Sequence, residues 1–362
     1  MESFRASIIR RIEFETINIA GFQRACGITS DGKGGVKINN WFLYYIFCFG
    51  ATLGNEITFA TFLPFLFWTF DDQLARNEIL LWATVAYVGQ CMKDVLMLPR
   101  PKSPPVHHLE DSYISEYGLP STHAMSAITL SCYLFYFLHT RYELNLWLCV
   151  FGSLLWILIT CASRPYLGVH SFLDVYVGLV VGVALSCMVY PVLSMVDGFL
   201  VNYGPAFKVL CILTLCIILV LIYPNSKIWT SCYGDTCRII GACTGAWAGV
   251  AIADPSTLHL DDRVRKGFLF PNTPSAILVI MVRAVVGYAF MQIVKSIIKY
   301  IGYKVVPSVV QRFGLAPAHI KGVKNDNRYI IEIPVILMSY ISLSFVATHS
   351  CPMLFNEIGI GW

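Results

Sequence analysis

Long apolar runs are the feature that most constrains how this chain can fold. Of its 362 residues, 56% are hydrophobic and only 13% are charged, whereas ordinary soluble domains carry roughly 25% charged residues. Several of the runs approach or exceed the ~20 residues that one helix needs to cross the hydrocarbon core of a bilayer. The sequence therefore predicts an all-α, polytopic membrane protein.

The apolar runs predict a bundle of roughly eight to ten spanning helices. We place spans at about 42–70, 78–98, 122–139, 145–162, 171–196, 207–223, 238–252, 275–300 and 330–350. The first run is long and holds Gly54, Asn55 and Glu56 near its middle, so it is either one tilted helix or two half-helices. The run at 238–252 is short and rich in small residues, which suits close helix packing or a re-entrant segment.

No internal repeat or Gly/Ser linker divides the chain. We therefore expect a single transmembrane domain over residues 41–362, with the functional motifs in a core at about 41–198. Residues 1–40 form a basic N-terminal tail without the continuous apolar core of a signal peptide, which predicts a cytoplasmic tail.

Charge and cysteine usage limit the possible partners. The net charge of +4 comes from 26 Lys+Arg against 22 Asp+Glu, and the cations are spread over loops, so nucleic acid is not an expected partner. No ligand spacing typical of a zinc site appears, so we expect no metal and no cofactor. Cys232 and Cys237 share a polar stretch and would form a disulfide only if that stretch is a lumenal loop with suitable geometry.

Three polar islands adjoin the ends of apolar runs. The first, KDVLMLPRP, places Lys93 and Arg100 seven residues apart, which puts them on nearly the same face of a helix. Pro99 and Pro101 end that helix at a boundary. The pair predicts an anion-binding position; the alternative is two basic residues that reach to lipid headgroups.

The second island, EYGLPSTHAMS, predicts the start of a helix. Pro120 breaks the chain, Ser121 or Thr122 caps, and an apolar helix continues from His123. Free backbone N–H groups and the helix dipole make such a terminus a site for phosphate or another anion. The alternative for His123 is an interfacial histidine bonded to a carbonyl.

The third island, SRPYLGVHSFLD, contains Arg164, His170 and Asp174. The four-residue spacing of His170 and Asp174 allows the carboxylate to accept the imidazole N–H and to raise the basicity of the other ring nitrogen. A histidine held in this way is a nucleophile or a base. The alternative is a capping His–Asp pair at an interface.

The three islands meet at one membrane face if successive helices alternate in direction. Three cations there, Lys93, Arg100 and Arg164, require a counter-anion. A phosphoryl group presents three oxygens for such a set of cations. The conjunction therefore indicates phosphate chemistry more strongly than any island does alone.

Together the islands resemble the three-part motif of the type 2 phosphatidic acid phosphatase superfamily, namely K, six residues, RP; then PSGH; then SR, five residues, H, three residues, D. The surrounding stretches FCFGATLGNE, GQCMKDVLMLPRPKSPPV and SEYGLPSTHAMS are more similar to the sphingosine-1-phosphate phosphatase branch. The resemblance runs from about Trp41 to about Tyr190. Thr122 replaces the usual glycine, as it does in that branch, and Pro165 follows Arg164.

The resemblance implies a role for each motif residue. His170 attacks phosphorus and is transiently phosphorylated, Asp174 orients it, and His123 protonates the leaving alkoxide. The phosphoryl oxygens are held by Lys93, Arg100, Ser121, Thr122 and Arg164. No metal is required, because these cations take its place.

A lipid phosphate is the expected substrate, since its tail can stay among the helices. The resemblance narrows it to sphingosine 1-phosphate and its dihydro form, and implies an endoplasmic reticulum membrane with a lumenal site. Counting two crossings from a cytoplasmic tail instead puts the site in the cytosol, unless the first run is split or the tail is lumenal. The basic loop at 260–267 favours the lumenal site, whereas the loop at 301–329 opposes it.

Several other functions fit parts of this pattern. Dolichyl diphosphate phosphatase and phosphatidate phosphatase share the motifs. Vanadate-dependent haloperoxidases share the fold but are soluble, which the apolar runs oppose. A transporter or lipid-binding scaffold with an inactive site would also place charges at membrane depth, but all the expected catalytic side chains are present. Oligomeric state and lipid chain length are left open.

Overall fold

Helices account for nearly all the regular structure. The computed structural model describes residues 2–32, 35–110, 116–224, 231–253, 274–314 and 328–360. Within these ranges the helices are α1 (Glu2–Ala25), α2 (Trp41–Thr52), α3 (Glu56–Thr69), α4 (Asp72–Leu96), α5 (Thr122–Tyr142), α6 (Leu146–Tyr166), α7 (Phe172–Asn202), α8 (Pro205–Ile222), α9 (Ser231–Ile252), α10 (Pro274–Arg312), α11 (Ile333–Phe345) and α12 (Cys351–Glu357). Two π-helical segments, Arg328–Glu332 and Val346–Ser350, and the antiparallel hairpin of β1 (Ile28–Ser30) with β2 (Val36–Ile38) complete them. The all-α prediction is confirmed.

Six of the described segments are long and apolar enough to cross a membrane. They are Asp72–Leu96, Leu146–Tyr166, Phe172–Leu200, Pro205–Ile222, Ile277–Arg312 and Ile330–Glu357, and the bent pair of α2 and α3 raises the number to seven if it is one span. Helices α5 and α9 are not among them, because polar residues such as Thr129 and Asp235 lower their mean hydropathy. The described residues thus form a multi-pass helical membrane protein with fewer candidate spans than the eight to ten expected.

Three of the predicted segments can be compared in detail with the observed helices. The first run is two helices bent by 65°, as the half-helix alternative had it, and residues 238–252 belong to the 22-residue helix α9. Helix α10 continues through residues 301–312, where a loop was expected. Pro307 lies inside this stretch but does not end the helix, because a proline removes only local hydrogen bonds. The basic residues at 260–267 and 315–327 lie outside the described residues.

Cys232 and Cys237 lie on the first turns of α9, not in a loop. Both side chains are buried, and no disulfide joins them. Five residues along a helix turn through about 500°, so the two side chains leave the helix on clearly different faces. This geometry leaves the two cysteines unbridged.

The described residues form two compact units. The first comprises Met1–Ala60, Thr84–Tyr190 and Pro224–Cys232, and the second comprises Thr61–Ala83, Pro191–Tyr223 and Tyr233–Trp362. The single transmembrane domain over 41–362 stays a prediction. All the predicted site residues belong to the first unit.

Helix α6 organises the first unit by packing against α5 and α2. The N-terminal segment, expected as a tail, is folded onto the same unit. Gln23 of α1 is fully buried, and its Nε2 donates to the carbonyls of His107 (2.7 Å) and Tyr166 (2.9 Å). Because Tyr166 ends α6, this amide fixes α1 against the segment that leads to His170.

The second unit is held by hydrogen bonds between distant segments. Helix α10 packs on α11. The Trp68 indole donates to the Ala347 carbonyl at 2.7 Å, and Arg283 donates to the carbonyls of Trp68 (3.0 Å) and Ile360 (2.6 Å). The buried Arg283 therefore serves helix packing within this unit.

Candidate active site

Backbone hydrogen bonds bring the three polar islands together in the first unit. Gly118 N donates to the Leu98 carbonyl at 2.9 Å, which joins the second island to the first. Ser121 N donates to the Asp174 carbonyl at 3.0 Å, which joins the second island to the third. Leu98 and Leu119 also share a buried apolar cluster. The convergence predicted from alternating helices is thus present within this unit.

His170 lies at the centre of the convergence. Its side chain is almost fully buried, just before α7. Nε2 lies 3.2 Å from a terminal nitrogen of Arg100, and Nδ1 lies 3.6 Å from Oδ2 of Asp174. A guanidinium nitrogen can only donate, so Nε2 is the acceptor that carries the lone pair, and the ring proton is on Nδ1, facing the carboxylate.

Asp174 is fixed by the start of its own helix. Its Oδ2 accepts from Ser171 N at 2.7 Å, and Ser171 Oγ accepts from Asp174 N at 3.1 Å. This reciprocal pair is a capping box, in which Asp replaces the usual Glu. The sequence SFLD therefore places the carboxylate through hydrogen bonds between residues only three apart.

The pKa of His170 is well below its ordinary value, first because the ring is buried and then because cations surround it. The charges that act on it are, in decreasing order, those of Arg100, Arg164, Lys93 and His123. At neutral pH the imidazole is uncharged. A neutral imidazole with its lone pair on Nε2 can act as a nucleophile once a phosphoryl group takes over the contact with Arg100.

Two of the predicted cations share a carboxylate that the sequence interpretation had not singled out. Glu116 Oε2 lies 3.1 Å from Lys93 Nζ and 3.5 Å from a terminal nitrogen of Arg100. Arg100 Nε also donates to the Glu116 carbonyl at 3.0 Å. Burial disfavours ionisation of Glu116, but the charges of Lys93 and Arg100 outweigh it and lower its pKa.

The third cation, Arg164, is fully buried in the last turn of α6 beside Pro165. It lies 3.6 Å from Glu110 Oε2, a second carboxylate that the sequence interpretation missed. The need of three clustered cations for counter-anions was the signal that could have identified both carboxylates. Glu110 lies between the first two islands, and Glu116 is the first residue of the second.

His123 lies on the first turn of α5 and is buried. The positive charges of Arg164, Lys93 and Arg100 act on it, and it acts in turn on His170. Gly54, between α2 and α3, packs on the His123 ring so closely that a Cβ there would overlap it. The break between α2 and α3 in the first apolar run therefore lies beside His123, within the candidate site.

Ser121 and Thr122 have separate roles. Ser121 is the N-cap of α5, and its Oγ accepts from Ala124 N at 3.5 Å. The methyl group of Thr122 faces Gly89 of α4, where a Cβ would lie 2.6 Å away.

Among the described residues, no group of three or more His, Cys, Asp or Glu side chains is arranged to hold a metal ion.

The fold and the assembled motifs define a class of protein. The model of the PAP2 superfamily matches residues 75–197, which include all the predicted site residues. No solved structure matches the chain significantly.

Relatives specify the family. The chain is 32% identical over 347 residues to sphingosine-1-phosphate phosphatase 1 of Rattus norvegicus, covering 94% of this chain and 78% of the relative. It is 31% identical over 355 residues to sphingosine-1-phosphate phosphatase 2 of Mus musculus, covering 94% and 96%. A dihydrosphingosine 1-phosphate phosphatase of Schizosaccharomyces pombe is 28% identical over 285 residues, covering 77% and 67%. The chain belongs to the sphingosine-1-phosphate phosphatase family of the PAP2 superfamily and is a phosphoric monoester hydrolase.

Proposed function

We propose that this lipid phosphatase dephosphorylates sphingosine 1-phosphate and dihydrosphingosine 1-phosphate to the free sphingoid bases through a phosphohistidine intermediate. The observation that carries the proposal is the orientation of His170, with Nε2 at 3.2 Å from Arg100 and Nδ1 facing Asp174. The rat, mouse and fission yeast relatives are named for these two substrates. Dolichyl diphosphate and phosphatidate are the alternative substrates.

In the first step, the Nε2 lone pair of His170 attacks phosphorus and the bond from phosphorus to the C1 oxygen breaks. His123 donates a proton to the leaving alkoxide, which departs as the alcohol of the sphingoid base. Asp174 stabilises the positive charge that develops on the imidazole. In the second step, His123 accepts a proton from water, the hydroxide attacks phosphorus, and the N–P bond breaks to release phosphate.

Positioning and charge neutralisation provide most of the catalysis in phosphoryl transfer. Lys93, Arg100 and Arg164 supply three positive charges around His170. The N-terminus of α5, capped by Ser121, adds backbone N–H groups near Thr122. Because these groups can neutralise the phosphoryl oxygens, the proposed reaction proceeds without a metal ion.

We also propose that the protein resides in the endoplasmic reticulum membrane with its site in the lumen. The 65° bend between α2 and α3 supports this orientation, since a bent pair can be a re-entrant loop instead of a crossing. With a cytoplasmic N-terminus, α4 is then the first crossing and Lys93 at its end is lumenal. Glycosylation of an acceptor sequon placed at the exposed Lys102 tests this orientation. An unmodified sequon in a folded, active protein would contradict a lumenal site.

The central experiment measures phosphate release in detergent micelles with EDTA. The substrates are sphingosine 1-phosphate, its dihydro form, phosphatidate and dolichyl diphosphate, and the variant is His170→Ala. His139→Ala, at the far end of α5 with its ring bonded to the Leu144 carbonyl, is the matched control. We expect EDTA-resistant release that favours the sphingoid phosphates, disappears in His170→Ala and persists in His139→Ala.

Other outcomes would redirect the proposal. Release that survives His170→Ala would exclude the phosphohistidine, and preference for another lipid would change the substrate. No release from any lipid would favour a lipid-binding or transport role. Trapping with radiolabelled substrate checks the intermediate directly, since a phosphohistidine is lost in acid and kept in base.

A further inference from the structure

Glu116 has no role in the mechanism above, although it is a buried anion at the site. Its carboxylate contacts Lys93 Nζ (3.1 Å), Arg100 (3.5 Å) and the hydroxyl of Ser231 (2.8 Å). The side chains of Lys93, Arg100 and Glu116 are all buried. Lowering of its pKa by Lys93 and Arg100 keeps the carboxylate ionised. A negative charge therefore stands among the cations that are to hold the phosphate.

Arg100 contacts both this carboxylate and the nucleophile. One terminal nitrogen of its guanidinium faces Glu116, and the other faces Nε2 of His170 at 3.2 Å. Because the guanidinium is rigid and planar, the carboxylate and the attacking nitrogen are held beside the two terminal nitrogens of one group. A phosphoryl group bound at His170 would bring its nearest substituents close to Glu116.

The proposed substrates differ from the alternatives in one charge close to the phosphate. A sphingoid base phosphate carries an ammonium group on the carbon next to the one that bears the phosphate. Phosphatidate and dolichyl diphosphate have no cation there. The position of Glu116 thus matches the chemical group that distinguishes the substrate classes.

We propose that Glu116 is a specificity-determining residue that binds the ammonium group of the sphingoid base while Lys93 and Arg100 bind the phosphoryl oxygens. In the free site the Glu116 carboxylate pairs with both cations. When the substrate binds, the phosphoryl oxygens take over the two cations and the Glu116 carboxylate pairs with the ammonium. This inference rests on the proposed function and adds to it a reason for the choice of lipid.

The test crosses one substitution with one change in the substrate. Glu116→Gln keeps the shape and removes the charge, and N-acetylsphingosine 1-phosphate keeps the chain and phosphate but lacks the ammonium. We expect kcat/KM for sphingosine 1-phosphate to fall about 10- to 100-fold relative to the acetylated lipid, as loss of a charge-assisted contact predicts. Glu116→Asp should retain part of the preference. Glu13→Gln, which removes an exposed carboxylate paired with Lys102, is the matched control and should leave the ratio unchanged.

An equal loss on both lipids would mean that Glu116 only positions Lys93 and Arg100, and would overturn the proposal. Wild-type protein provides a second measurement that does not depend on the folding of any variant. O-Phosphoethanolamine carries an amine at the same spacing, and ethyl phosphate does not. Inhibition about tenfold or more tighter by the amine supports the proposal, and equal inhibition contradicts it.

The proposed function fails in a different way. If wild-type protein releases no phosphate from sphingosine 1-phosphate, the substrate assignment is wrong and the role of Glu116 falls with it. If release is normal and the preference for the amine is unaffected by Glu116→Gln, only the role of Glu116 is wrong.

Discussion

Replacement of Asp174 by Asn tests the arrangement around His170 with little change in shape. In the wild type the Asp174 carboxylate faces Nδ1 of His170 at 3.6 Å and accepts from Ser171 N at 2.7 Å. An Asn oxygen can keep the bond from Ser171. Because Oδ2 of Asp174 makes both contacts, that same oxygen still faces Nδ1, so the variant keeps the tautomer and removes the negative charge opposite the imidazole.

The two consequences of Asp174→Asn differ in size. Loss of the negative charge opposite the phosphoimidazole should lower kcat by about 10- to 100-fold, as loss of a charge-assisted contact predicts. That factor corresponds to about 1.4–2.8 kcal/mol of transition-state stabilisation. Because the capping bond is kept, the free energy of unfolding should fall by less than about 1 kcal/mol.

Single-turnover phosphate release and thermal unfolding in detergent measure the two quantities on the same samples. Asp71→Asn is the matched control, since Asp71 is a buried carboxylate that accepts from Leu74 N at 2.9 Å at the start of α4, in the second unit. We expect the control to retain its kcat. If Asp174→Asn stays within tenfold of the wild type, Asp174 has a capping role only, and the reasoning is refuted.

Three further predictions follow from particular contacts. Since Arg100 helps to lower the pKa of His170, Arg100→Gln should raise that pKa and move the acid limb of the pH profile of kcat/KM to higher pH. An unchanged acid limb would show that the charge of Arg100 does not act on the pKa of His170. Gly54→Ala should displace the His123 ring and lower kcat by about 100-fold with little change in inhibition by phosphate, and an unaltered kcat would show that the ring is not displaced. Gln23→Leu leaves the buried carbonyl of Tyr166 and the partly buried one of His107 without this donor and should lower the free energy of unfolding by roughly 1–3 kcal/mol, measured by thermal unfolding; an unchanged stability would contradict the anchoring of α1.

Acid should also weaken the folded state through His170. Its folded pKa lies below the ordinary value, so the unfolded chain binds the proton first as pH falls below about 6.5. Stability is therefore complete above that pH and declines toward the lower folded pKa. The decline should be smaller in His170→Gln, measured by thermal unfolding between pH 7 and pH 5; an equal decline would assign the effect to other groups.

The sequence by itself determined the helical membrane class and the local geometry of each island. Apolar length requires spanning helices, because a bilayer leaves no other partner for their backbone groups. The caps follow from local sequence too, since Ser121 and the Ser171–Asp174 box bond within three residues. These features depend on neighbours in the chain, so spacing alone predicts them.

Tertiary structure decided what surrounds those local elements. Glu116 stands 23 residues from Lys93 and 115 from Ser231, yet contacts both. The folding of residues 2–25 into a helix against His107 and Tyr166 likewise depends on partners 84 and 143 residues away. Periodicity and spacing describe only positions a few residues apart, whereas the choice of a counter-charge for a buried cation depends on which distant segments the packing brings within hydrogen-bonding distance.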